Sequence, residues 1–132
     1  MPHLFRKFLL GRTDKEDPRG ATFKATLNNS DYAFVTIRKG ALRGGHYHDI
    51  ETTQIIVYGK IKFQFVDPRT RKQSETIGLP MEIIQIPAGI AHIAEGLEDS
   101  MFIEPAKVGK TIEYEPQRKR IRDMLERSKT LR

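Results

Sequence analysis

Short runs of β-branched and aromatic residues recur along this chain, and no long helical pattern separates them. Tyr32 to Arg38, Thr53 to Tyr58, Lys60 to Val66, Glu82 to Ile86, Met101 to Glu104 and Thr111 to Tyr114 read as strands. Breaks fall at Asn28-Asn29-Ser30-Asp31, Gly44-Gly45, Asp67-Pro68-Arg69, Gly78-Leu79-Pro80, Gly89, Gly96 and Gly109-Lys110, with Gly59 at a tight turn. Strands at this spacing predict an all-β sandwich or barrel of about eight to eleven strands. In Lys60 to Val66, Ile61, Phe63 and Phe65 share one face and Lys60, Lys62 and Gln64 the other, the half-buried pattern of an antiparallel sheet. The expected core is Ile55 or Ile56, Phe63, Phe65, Ile84 and Ile86. Tyr32 to Arg38 is partly apolar on both faces, so its inward face is left open.

The 132 residues, 38% of them hydrophobic, suffice for one core. The expected organisation is a barrel over residues 1–115 followed by a basic helical tail over 116–132. There is no cysteine, which removes disulfides, thiolate metal sites and cysteine nucleophiles and suits a reducing cytoplasm. Met1 to Gly11 carries a short apolar patch at Phe8, Leu9 and Leu10, interrupted by Arg6 and Lys7, too short for a signal core or a membrane span. The expectation is a cytoplasmic protein without membrane attachment.

Five of the six net positive charges belong to the segment from Pro116 to Arg132. Ile121, Met124, Leu125 and Ser128 follow helical spacing there, and Pro116 suits a first turn. A short C-terminal helix is expected to pack this edge on the barrel or on a partner subunit. Arg118, Arg120, Arg122 and Arg127 would then lie largely in solvent. No aromatic residue interleaves the charges after Pro116, so nucleic acid is not the expected partner.

His46 and His48 are two apart, so on one strand both imidazoles reach one face while Tyr47 points away. A third histidine, His92, follows Pro87-Ala88-Gly89-Ile90-Ala91. Three neutral imidazoles suit one first-row divalent ion, Zn, Ni, Mn or Fe, and leave positions for a further ligand, water or substrate. For a fourth ligand the sequence offers Gln54, reached by uninterrupted alternation from His48, or Glu51 if a bulge intervenes, or water. The alternative is that the imidazoles only hydrogen-bond inside the barrel without metal.

These residues resemble the two motifs of a small single-domain cupin. Gly40, His46, His48 and Gly59 fit the first, with Thr52 where a glutamate ligand usually stands. Pro87, Gly89 and His92 fit the second, with Met81 and Gly96 replacing its opening glycine and closing asparagine. The resemblance, from about Gly20 to about Pro105, implies a jelly-roll β-barrel. Arg43-Gly44-Gly45-His46-Tyr47-His48 and Asp17-Pro18-Arg19-Gly20 are further similar to segments of sugar-nucleotide cupins, namely dTDP-4-keto-6-deoxyhexose 3,4-ketoisomerases and the cupin domains of capsule-sugar reductases. This implies a keto-sugar or nucleotide-sugar substrate and isomerase- or epimerase-like chemistry. His46 and His48 would then be catalytic proton carriers, and Arg43 and Tyr58 substrate contacts, with Arg43 suited to a pyrophosphate. Asp49 stands where the ketoisomerases usually carry lysine. The alternative is a non-catalytic cupin that binds a small sugar-like ligand. A general base would separate the two, and Glu51 and Glu104 are the carboxylates available for it. A homodimer is expected, covering apolar positions of the first strands, Phe23, Leu27, Tyr32 and Phe34.

Overall fold

The computed structural model describes residues 13–130; the expectations for Met1 to Gly11 lie outside them. In chain order the elements are β1 (Thr13–Asp17), β2 (Gly20–Leu27), β3 (Ser30–Ile37), β4 (Leu42–His48), β5 (Thr52–Tyr58), β6 (Ile61–Val66), β7 (Gln73–Gly78), β8 (Ile83–Ile86), β9 (Ala91–Gly96), β10 (Ser100–Pro105), β11 (Thr111–Glu113) and α1 (Glu115–Thr130). They form two antiparallel sheets, one ordered β1-β2-β3-β10-β5-β8 and the other β11-β4-β9-β6-β7. This is a two-sheet jelly roll with one helix. Among the described residues no helix is long and apolar enough to cross a membrane.

The core lies where the inward faces meet. Val35, Ile37, Ile56 and Phe102 come from the first sheet and Ile61, Phe63 and Ala94 from the second, all buried. The ambiguous strand resolves with Ala33, Val35 and Ile37 inward. Ile56 is fully buried whereas Ile55 is 42% exposed, which decides the open pair. Phe65 and Ile84 pack against this core as partly buried residues, and Ile86 is buried.

On the outer face of the six-stranded sheet the register places Phe23, Phe34, Ile103, Ile55 and Ile83 opposite one another across five consecutive strands. Phe23 and Phe34, two of the positions for which a partner was expected, thus lie on the outer side of a single chain.

The helix covers the outer face of the other sheet. Ile121 and Met124 are buried, Leu125 packs beside them, and the Leu42 amide donates to the Met124 sulfur at 3.1 Å. Arg118 departs from the expectation of a solvated side chain. It is half-buried against Gly45, donates to the Gly44 carbonyl at 3.3 Å and lies 3.9 Å from a Glu113 carboxylate oxygen. Arg120 and Arg122 are exposed, as expected of them.

Candidate metal centre

The site begins with a β-bulge. On β4, Arg43 pairs with Ala94 and Gly44 with Ile93, but the next pair on β9 is His46 with His92, so Gly45 is an extra residue. Ala94 and His92 are two apart on β9 and share a face. The bulge therefore turns Arg43, His46 and His48 all inward, although Arg43 and His46 are three apart in sequence. Glycine is required for it: Gly44 has φ 98° and Gly45 φ 80°. A Cβ on Gly44 would lie 2.7 Å from the His92 carbonyl oxygen, and one on Gly45 would press on Arg118 and Ile121.

The three imidazoles converge. Their ring centres are 4.7, 4.8 and 5.5 Å apart, and one nitrogen from each of His46, His48 and His92 falls within 4.8 Å of the others. His48 and His92 are 6% and 3% exposed. Two of the rings are oriented from behind: Nδ1 of His48 meets the Thr111 hydroxyl at 3.0 Å, and Nδ1 of His92 lies 3.3 Å from the Ile90 carbonyl, to which it is placed to donate. Each such contact leaves Nε2 free to face the cluster, as in histidine metal sites.

Burial, reinforced by the mutual repulsion of the imidazoliums with His92, His48 and Arg118, pulls the His46 pKa down to about 3. Burial takes His92 to about 4 and also lowers His48, which Asp49 partly restores. All three rings are therefore neutral at neutral pH, the form that ligates a metal. The donor set fits one divalent ion of the expected kind.

The cluster opens into a cavity of about 240 Å³ whose walls include His46, His92, Arg43, Gln54, Glu104 and Lys24. Gln54 comes from β5 in the facing sheet, where Thr52, Gln54 and Ile56 alternate inward. Its amide nitrogen donates to Glu104 at 3.3 Å, and its buried oxygen has no hydrogen-bond partner among the described residues. Glu51 is exposed in the loop before β5, outside the cavity. Tyr58, expected at the substrate, is instead 45% exposed. The register between β5 and β10 slips near Val57, which breaks the alternation that keeps Gln54 and Ile56 inside.

Glu104 is the site group that the sequence left least defined. Burial pushes its carboxyl up to about 7, against the opposing pull of the Gln54 hydrogen bond and the Arg43 charge. Thr111, which the sequence marks only as a strand residue, reaches His48 through the pairing of β11 with β4.

The folded-state pKa of Glu104 lies above its ordinary value of 4.5, so this group's stabilising preference for the proton is complete below 4.5 and is lost as pH rises through about 7. In protein stripped of metal by a chelator, Glu104→Gln is accordingly expected to gain about 1–3 kcal/mol over the wild type near pH 8 and nothing near pH 4. Urea unfolding at the two pH values checks this; an equal gain at both would assign the effect to packing instead.

No family model matches the chain. It is 35% identical over 82 residues to the UDP-2-acetamido-2,6-beta-L-arabino-hexul-4-ose reductase of Pseudomonas aeruginosa, covering 58% of this chain and 22% of that protein. The capsular polysaccharide assembling protein CapF of Staphylococcus aureus superposes with a TM-score of 0.63 at 18% identity, over 84% of this chain and 32% of CapF. A deletion mutant of the Bacillus subtilis oxalate decarboxylase OxdC gives 0.63 at 15% identity, over 81% of this chain and 33% of that one. The fold is thus that of a cupin. Within that class the chain is similar in sequence to a sugar-nucleotide reductase, of which it spans about a fifth.

Proposed function

We propose that this chain is a metal-dependent cupin enzyme acting on a small polar carbonyl compound of the keto-sugar class, with isomerase- or epimerase-like chemistry. One observation carries the reading: a cluster of three neutral imidazoles, two of which line a 240 Å³ cavity, shares that cavity with a carboxyl whose pKa is about 7. The reductase relative supports the substrate class, since the hexul-4-ose of its name is a keto sugar.

His46, His48 and His92 would hold the ion, which when bound would supply Lewis-acid polarisation of a carbonyl oxygen and so acidify the neighbouring C–H. Gln54 adds a buried, unpartnered oxygen in the same cavity. Glu104 takes the proton from the carbon beside the carbonyl and returns it to the adjacent carbon on the same face while the hydroxyl proton passes to the carbonyl oxygen, or inversion takes its new proton from solvent on the opposite face, so no electrons leave the substrate. A group near pKa 7 suits both directions of that transfer. The histidines, pulled to about 3 and 4 or otherwise lowered, suit it less, which favours metal ligation over proton shuttling for His46 and His48.

Incubating the metal-loaded protein with keto-sugars in deuterated water tests the reaction. Deuterium is expected to enter the carbon next to the carbonyl, followed by NMR. Glu104→Gln should slow this by about 100-fold or more. Failure of any of a broad set of keto-sugars to exchange would favour the non-catalytic, ligand-binding reading.

A further inference from the structure

We propose that Arg43 anchors a carboxylate, so that the carbonyl compound admitted to this cavity is an acid and not a neutral or nucleotide-activated sugar. The inference rests on the preceding reading for the reaction but on different residues for the binding.

The guanidinium is held at one edge only. The bulge at Gly44-Gly45 sends Arg43 inward from β4, and its Nε donates to the Thr36 carbonyl of the opposite sheet at 2.9 Å. Its two Nη groups make no hydrogen bond or ion pair with the described residues. Asp17, whose charge also acts on Arg43, is already committed to Arg19. The Arg19 backbone amide, Nε and Nη2 all donate to it, leaving side chains only 11% and 22% exposed. Lys24, itself exposed, also borders the cavity and pairs with Ala33, as Glu104 does. Glu104, the one carboxyl on this wall, feels the Arg43 charge and already accepts the Gln54 amide.

A pair of free Nη groups on a fixed guanidinium is the arrangement that grips a carboxylate in two parallel hydrogen bonds. The cavity decides between a carboxylate and the pyrophosphate first expected at Arg43. At about 240 Å³ it lies below the range of about 300–1,000 Å³ usual for sites that enclose drug-sized ligands, so a compact acid fills it whereas a diphosphate plus a sugar would protrude through its open mouth. The partners of Arg43 and His46 on β9 are two residues apart, about 7 Å along the strand. A hexose-sized acid bridges that span, with its carboxylate on Arg43 and its carbonyl toward the imidazoles.

Calorimetric titration of the full chain, both chelator-stripped and zinc-reconstituted, tests this with three probes: 5-keto-D-gluconate, its neutral counterpart L-sorbose, and UDP-glucose. The acid is expected to bind about tenfold tighter than either other probe, and Arg43→Met should erase the preference while Arg43→Lys retains part of it. Equal binding of the acid and L-sorbose, tightest binding of UDP-glucose, or a preference that survives Arg43→Met would each overturn the proposal. The wild-type ranking decides even if a variant does not fold. Because the anchor is Arg43, the preference should appear in stripped protein as well, so a failure to take up zinc would count against the metal reading alone.

Discussion

Gly44→Ala is expected to destabilise the protein by about 2–4 kcal/mol and to separate Arg43 from the histidine cluster. Two penalties act together there: φ is 98°, a conformation that side chains other than hydrogen resist, and the new Cβ would lie 2.7 Å from the backbone oxygen of His92. The atom it strikes is main chain of a cluster residue and cannot swing aside as a side-chain tip would. Gly40→Ala separates the two penalties. Its φ is 82°, but nothing lies within 4 Å of the added carbon, so it should cost only about 1 kcal/mol. Thermal or urea unfolding of both variants checks the difference. If the two cost the same, the close approach of β4 and β9 at the bulge does not matter energetically.

Ile121→Ala should cost about 2–4 kcal/mol, a core-sized loss from a residue that composition alone assigns to a basic tail. Ile121 is 1% exposed, packed with Met124 against the outer face of the sheet that carries the histidines. Arg122→Ala, one residue on, removes only an exposed pair with Glu115 and should leave the unfolding midpoint close to that of the wild type. Denaturant unfolding of the two variants tells whether α1 is part of the fold. Equal, small effects would make it a solvated appendage.

What the sequence revealed of the site follows from how local each signal is. Strand parity is a property of neighbouring residues, so the shared direction of His46 and His48 was legible from the pair alone. His92 was legible from the spacing after Pro87 and Gly89. The bulge was not, because it exists only in the pairing of Gly44 and His46 with β9. Without it Arg43 would face away from the histidines, and its inward position could not be derived. Tyr58 stands outside the cavity, where a register slip near Val57 ends the inward alternation of Gln54 and Ile56.

The fold was legible where burial writes a pattern. Ile61, Phe63 and Phe65 announced their strand, whereas β7, Gln73–Gly78, is exposed along all but its last residue and carried no apolar alternation to find. Arg118 looked like one more helix-surface charge, yet the glycines beneath it leave room for its side chain to lie against β4. Glu104 and Glu51 were equal candidates in sequence. Pairing of Glu104 with Ala33, an inward position, separates them.

Element analysis of the protein purified without added metal bears most directly on the metal centre, made on the wild type and on the His46→Ala/His48→Ala double variant with circular dichroism to verify that both are folded. The account predicts about one divalent ion per wild-type chain, Zn, Ni, Mn or Fe, and its loss from the folded double variant. Full occupancy retained without His46 and His48, or a wild-type chain that takes up no divalent ion even when it is supplied, would contradict it.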